Sequence, residues 1–413
     1  MNAENLMAFV DASPSPYHAV ASVARLLSEH GFSQLEGGTP AKRGWETRDG
    51  SIVAWHLPDG PITRCHIIAA HTDSPNLRVK PHADYSSSNL SMLALEPYGS
   101  PLLNSWLDRD LGLSGRIATI DAGAVETHLM RSDTALARVP QLAIHFDREI
   151  ASTGLLLNKQ RHVNAMWSMD RHMTLNEWIA DQIGVAPTSV VSHDLMCHDI
   201  APCARIGESQ EFLVGPRLDN LCSCFGATQA MASAETPPGV ALVMMLCDHE
   251  EVGSVSTTGA ESAWPIAVMH DLIAHHGAAT SASRVLSDSW VLSADMAHAT
   301  HPNYPELHDP LHHIQMGGGL VIKRNVAQRY ATSDTSAARF TAAARTVSVP
   351  VQTYAHRADL MCGSTIGPTL AARLGARTVD VGVPQLSMHS CREVIAAQDV
   401  DHMCQAFAAW LGA

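Results

Sequence analysis

The stretch "GVALVMMLCDHEEVGS", residues 239–254, decides how this chain is read. Its apolar run from Gly239 to Cys247 suits a strand buried on both faces of a sheet. The run then stops abruptly in Asp248, His249, Glu250 and Glu251. Functional groups of open α/β sheets collect beyond the carboxyl ends of their strands, which gives two adjacent glutamates a reason to stand there.

Other strand-like segments end the same way. "CHIIAAHTD" delivers His71 and Asp73, "WVLSADMAHA" delivers Asp295, and "TVDVGVPQLSMHS" leads to His389. Each alone is explained by a capping aspartate or a hydrogen-bonded histidine. Together they point to a metal site, because converging buried carboxylates repel one another unless a cation joins them. Carboxylate and imidazole without thiolate suit Zn²⁺, with Co²⁺ or Mn²⁺ as alternatives. The ligands are too many for one catalytic ion. Two ions roughly 3.5–4 Å apart, sharing a carboxylate, would use them and hold a nucleophilic water. Asp219 in "GPRLDNL", at the expected start of a helix, is the candidate bridge, against the plain alternative of a helix cap. Of the adjacent glutamates, one can bind metal while the other faces the water, takes its proton and returns it to the leaving group.

Competing signatures are weak. "CGSTIGP" is not a G-x-S-x-G elbow, "MGGGLVIK" lacks phosphate-loop spacing, and no H-E-x-x-H occurs. A net charge of −14 without a basic stretch argues against a nucleic-acid surface. The N-terminus has no basic region followed by an apolar core, and no run approaches the roughly 20 apolar residues that span a bilayer. Nine cysteines without a paired framework read as reduced thiols. The expectation is a cytoplasmic protein with no membrane partner.

At 413 residues the chain suggests two domains. "SPSPYHAVASVARLLSEHGF" reads as an amphipathic helix, followed by the strands "SIVAWHL" and "RCHIIAAHTD". From about residue 84 to 212 short alternating segments suggest β-rich structure. The strand–helix rhythm then returns with "GVALVMMLCDHEE", "SWVLSADMAHA", "VPVQTYAHR" and "ARTVDVGVP". This predicts an α/β catalytic domain with a mostly parallel sheet, made of residues 1–83 and 213–413, interrupted by a β-rich insertion over 84–212.

"SPSPYHAV", "AAHTDSPNLRVKP", "SWLDRDL", "RLDNL", "DHEEVGS", "DMAHATHPNY", "VIKRNVAQRYAT", "CGSTIGP" and "MHSCRE" closely resemble, in order, the aspartyl aminopeptidase family of two-metal zinc exopeptidases. The resemblance spans about residues 8–400. It implies an α/β/α peptidase domain with an inserted dimerisation domain. His71 and Asp295 would complete one metal site and Glu251 and His389 the other, with Asp219 shared. Glu250 would be the general base, and Asp73 would orient the His71 ring. His249 would not be a ligand.

Lys323 and Tyr330 fall where the family binds an acidic N-terminal side chain; the plain alternative is a lysine at a helix start facing solvent. Gly363, Ser364 and Thr365 would contact substrate. In the insertion, His162 matches a histidine that reaches a neighbouring subunit's active site, in wording that departs from the family's. His145, ending a strand-like run, is an additional candidate ligand that the two-metal set does not need. Family members form closed cages, commonly dodecamers built from dimers. The implied activity is removal of N-terminal Asp or Glu from peptides. A broad aminopeptidase, a deacylase of N-acyl amino acids on the same metals, and a catalytically silent shell are the alternatives.

Overall fold

The computed structural model describes residues 2–169 and 173–413. They fall into two compact units. One comprises residues 2–73, Cys203–Met388 and Glu393–Ala413, and the other Ser74–Pro202 and His389–Arg392.

The first unit is built on a nine-stranded sheet. Its strands are β1 (Ser33–Gln34), β2 (Arg43–Arg48), β3 (Ser51–His56), β4 (Arg64–His71), β5 (Val240–Cys247), β6 (Trp290–Ala294), β7 (Leu320–Arg324), β8 (Val351–Ala355) and β9 (Arg377–Gly382). Their spatial order is β1-β2-β3-β5-β4-β6-β9-β7-β8. The central four, β5, β4, β6 and β9, run parallel. Their carboxyl ends therefore share one edge of the sheet, and Cys247 lies directly beside His71 in the register.

Every residue of β5 is buried. Val240, Leu242, Met244 and Leu246 pack into one core cluster, whereas Ala241, Val243, Met245 and Cys247 pack into a second. Those two clusters are the two faces of the sheet, which is why the strand reads as an unbroken apolar run instead of an alternation.

The expected amphipathic helix runs Pro16–Glu29, capped by Ser15 with proline at its first position. Helices Asp334–Thr346 and Ile366–Leu374 form where expected. In the helix Leu218–Ser233, Asp219 and Asn220 have non-helical dihedrals, so the regular turns begin after them. Asp219 thus stands on an irregular lead-in and not in a first helical turn.

The second unit contains a six-stranded antiparallel sheet over Asn76–Ser168 and Val190–Asp199. Its edges lie at 73/74 and 202/203, both earlier than the 83/84 and 212/213 breaks read from the sequence. The strand Asn76–Ser87 pairs with Leu90–Tyr98, which draws its first residues into the insert. Phe212–Gly215 pairs instead with Glu393–Ala396, in a five-stranded sheet of the first unit. This partner, distant in sequence, is invisible to local pattern.

One plain alternative and one local expectation fail. "VIKR" lies in strand β7, whose residues are buried up to Lys323, and Lys323 is only 3% exposed, so it is neither at a helix start nor facing solvent. "LAIHF" is not a strand. Ile144–Phe146 form a 3-10 turn, and Leu142, Ile144 and Phe146 all stand in solvent, so their alternation reflects no buried face.

None of the nine cysteines is joined in a disulfide, and six of them are buried. Among the described residues no helix is long and apolar enough to cross a membrane.

Candidate metal centre

The site lies where β4 and β5 end. After Cys247 the chain places Asp248 in the interior, with its N–H donating to the Ser51 hydroxyl at 2.8 Å. A side chain on Gly50 would overlap the Asp248 carboxylate, so glycine is required there. His249 then takes a left-handed conformation (φ 64°) that swings the chain into the short 3-10 turn Glu250–Val252. The His249 ring contacts Ser256 at 3.0 Å and Thr258 at 3.3 Å through Nδ1. His249 belongs to none of the candidate ligand groups among the described residues.

Asp73 fixes both glutamates. Its Oδ1 accepts the Glu250 N–H and its Oδ2 accepts the Glu251 N–H, each at 3.0 Å. The His71 ring is held chiefly by the Asp73 carbonyl, which lies 3.0 Å from Nδ1, while the Asp73 carboxylate is farther away at 3.4 Å. Asp73 therefore orients the ring mainly through its backbone, and its side chain mounts the glutamates. With Nδ1–H donated to that carbonyl, Nε2 carries the free lone pair that a metal needs.

Nε2 of His71 lies 3.4 Å from Asp219 Oδ1 and 3.6 Å from Asp295 Oδ1. One ligand atom from each of His71, Asp219 and Asp295 falls within 4.8 Å of the others, and the same holds for His71, Glu250 and Glu251. Asp219 is anchored by its N–H to Glu393 Oε2 at 2.9 Å, and its neighbour Asn220 donates to the Ala294 carbonyl at 2.8 Å. Asp295 Oδ2 is 3.3 Å from the Lys323 ammonium, which also donates to the Met296 carbonyl at 3.0 Å.

His389 follows Met388 in chain order and belongs to the second unit. It has φ 65°, its carbonyl accepts the Leu102 N–H at 2.9 Å, and its Nδ1 lies 3.3 Å from the Ser100 carbonyl.

These contacts crowd negative charge. Burial, then Asp295, Asp73 and Asp219, push the Glu250 carboxyl up to about 8 against the pull of His71. Burial followed by Asp219 drives Glu251 well above the carboxylate range. Burial alone would lower His71, but Asp219, Asp295 and Asp73 outweigh it and raise the imidazole. Burial would likewise raise Asp295, yet Lys323 and His71 hold it below the usual range. Carboxyl groups that retain protons near neutral pH mark a place where a divalent cation can do the protons' work. The donor set, imidazole and carboxylate in a buried cluster, fits zinc.

The remaining candidates are distributed as follows. Tyr330 is buried, with its ring centroid 5.2 Å from the Lys323 ammonium. Gly363 and Ser364 are exposed, and the Ser364 hydroxyl donates to the Arg329 carbonyl at 3.1 Å. The Thr365 hydroxyl is already committed, capping the helix at Gly367 and donating to Asp380. His145 is exposed in the insert and joins no ligand group among the described residues. His162, also exposed, accepts the Asn158 N–H at 3.0 Å and lines a cavity of about 640 Å³ in the insert with Tyr85, Leu155 and Arg161. Sequence reading missed Glu393 and Asp380. The signal for Asp380 was an acid inside an apolar strand run; for Glu393 it was only its place beside the "MHSCR" motif.

A carboxyl group raised on folding stabilises the fold while protonated. That contribution is complete below its unfolded value of about 4.5 and is lost as pH rises through the folded one, about 8 for Glu250. The raised His71 imidazole acts in the same direction. Metal-free protein is therefore expected to lose thermal stability between about pH 5 and 8, and bound zinc to remove most of that slope. Calorimetry of chelated and zinc-loaded protein checks this; a flat profile for the chelated form contradicts it.

Comparison with known proteins supports the same reading. Residues 9–411 match the family model described as aminopeptidase I zinc metalloprotease (M18). A relative from Streptomyces coelicolor, named probable M18 family aminopeptidase 2, is 44% identical over 99% of this chain and 97% of its own length. Among solved structures, Ape4 in its cryo-EM complex with Nbr1 is 34% identical with a TM-score of 0.95, covering 99% of this chain and 85% of that one. The Saccharomyces cerevisiae mApe1 dodecamer is 25% identical with a TM-score of 0.85, covering 98% and 95%. The chain belongs to the M18 family of zinc metallo-aminopeptidases.

Proposed function

We propose that this aminopeptidase uses two metal ions and prefers acidic N-terminal residues. The observation that carries the two-metal reading is the cluster at the strand ends, which offers more ligands, buried and half-buried, than one ion can use. His71, Asp219 and Asp295 would hold one ion, and Asp219, Glu251 and His389 the other. When bound, the ions would activate a water and polarise the scissile carbonyl.

The chain's own residues do the rest. Asp73 fixes the turn so that Glu251 and Glu250 leave it as neighbours with different tasks. Glu250, the carboxyl raised toward neutral pH in the metal-free site, takes the proton from the nucleophilic water and delivers it to the leaving amine. The carboxylates beside the metals would receive the substrate's free α-amine, which restricts cleavage to N-termini.

Lys323 supports the acidic preference. Two of its three N–H directions are used, by Met296 and Asp295, and the third can meet a substrate carboxylate. Tyr330 lies against the same ammonium, and Gly363 and Ser364 are open to contact the peptide. A broad aminopeptidase or an N-acyl amino acid deacylase is the second reading, because Lys323 already has a carboxylate neighbour.

The insert would serve assembly. Leu142, Phe146 and Leu156 are 62%, 81% and 91% exposed, which favours contact with further copies, as in the dodecamer of the yeast relative. His162 lies in that unit and is proposed to reach a neighbouring copy's site, whereas His145, exposed in the same unit, joins no ligand group among the described residues. Sedimentation showing monomer alone would refute the assembly. Nine cysteines without a disulfide accord with a reducing, cytoplasmic setting.

One substrate panel, comparing wild type, Glu250→Gln and Lys323→Ala on Asp-, Glu-, Ala- and Leu-terminal peptides and N-acyl amino acids, tests the activity and its selectivity. Glu250→Gln is expected to lower kcat by about 10²–10⁴-fold with metal content unchanged. Metal loss would contradict its assignment. Lys323→Ala is expected to lower the acidic-to-neutral ratio about tenfold or more; an unchanged ratio removes the acidic pocket. Because Lys323 also touches Asp295, the ratio decides and not the absolute rate.

A further inference from the structure

Asp380 sits in the middle of β9 and is completely buried. A carboxylate in the interior is costly unless each oxygen has a partner. Both oxygens do. Oδ2 accepts the Ala331 N–H at 2.6 Å, and Oδ1 accepts the Thr365 hydroxyl at 2.6 Å. The backbone N–H of Asp380 donates to the Thr332 hydroxyl at 2.9 Å, securing the same loop a second time. A Cβ on Gly367 would come within 2.5 Å of both carboxylate oxygens, so only glycine lets the helix after Thr365 approach this closely.

The two segments held here are the ones that carry the proposed substrate contacts. Ala331 follows Tyr330, and Thr365 follows Gly363 and Ser364. The Ser364–Arg329 hydrogen bond is a further tie between them at the exposed end, and the Tyr330 hydroxyl also meets the Cys362 thiol. Val321 pairs with Gly382 and Ile322 with Val381, and the Lys323 ammonium beyond them is near enough to pull on the Asp380 carboxyl. The carboxylate thus stands beside three elements of the pocket at once.

We propose that Asp380 is the positioning residue of the substrate pocket, its two oxygens clasping the Tyr330 loop to the Gly363–Ser364 loop. This rests on the substrate-contact reading given above. The role is geometric. Ala331 N–H can only donate, whereas the Thr365 hydroxyl can donate or accept. An asparagine at 380 can therefore accept from Ala331 with its oxygen and donate to Thr365 with its amide, keeping the clasp without the charge. An alanine breaks both arms.

The test compares Asp380→Ala, Asp380→Asn and Thr365→Val in zinc-loaded enzyme by KM, kcat, metal content and hydrogen exchange of segments 325–333 and 356–366. Asp380→Ala is expected to raise KM about tenfold or more with kcat within about threefold and full metal content. Both segments should exchange faster together. Asp380→Asn should restore KM to within about threefold of wild type. Should Asp380→Ala not fold, Thr365→Val, which cuts one arm, is expected to raise KM and the exchange of segment 356–366 by smaller factors. Exchange and KM unchanged in these variants, loosening of only one segment in Asp380→Ala, or failure of asparagine to rescue would overturn the proposal. Coupled loosening with KM unmoved would uphold the clasp and overturn the substrate-contact reading instead.

Discussion

The Asp73 carboxylate is the constraint on which the centre depends. Two adjacent backbone N–H groups, those of Glu250 and Glu251, donate to its two oxygens, joining the end of β4 to the turn after β5. Without that tie the turn would carry two glutamates free to swing away from His71, Asp219 and Asp295. Their mutual repulsion gives reason to do so. Two unit charges 4 Å apart at an effective dielectric of 20 repel by about 4 kcal/mol. Backbone hydrogen bonds hold the cluster together against this, and protons or metal neutralise it. The left-handed His249 and the glycine at 50 are consequences of the same demand, since the chain must turn sharply over a buried Asp248 to bring the glutamates round.

Lys323 gives the centre its asymmetry. It answers Asp295 on one side and acts on the buried Asp380 carboxyl on the other, so its ammonium sits in an acidic neighbourhood inside a protein of net charge −14. On the proposed reading, that placement would make local charge, and not overall charge, the determinant of what an incoming peptide meets. An acidic N-terminal side chain would then gain only where the ammonium's remaining donor points outward, which would tie selectivity to the loops that Asp380 is proposed to hold.

Much of this was legible in the chain. The run Gly239–Cys247 announced a doubly buried strand because both of its faces needed apolar residues, and acids placed after several such strands announced a shared edge. What was not legible depended on partners far away in sequence. Phe212–Gly215 looked like the end of the insertion, since its pairing with Glu393–Ala396 leaves no local mark. A solvent-facing helix start was the plain alternative for Lys323, and only the cross-strand neighbours show why it is buried. His145 looked like a strand end in a segment whose alternation has no buried side. The role of Asp73 could be named but not divided between backbone and side chain, because that division follows from the register that sets Cys247 beside His71.

The central claim is that these side chains hold two metal ions and leave Glu250 free. Anomalous X-ray diffraction at the zinc edge, on crystals of zinc-loaded protein, measures it most directly. Two peaks roughly 3.5–4 Å apart are predicted, one bound by His71, Asp219 and Asp295 and the other by Asp219, Glu251 and His389, with Glu250 contacting neither. A single fully occupied peak, or Glu250 ligating in place of Glu251, would contradict the account.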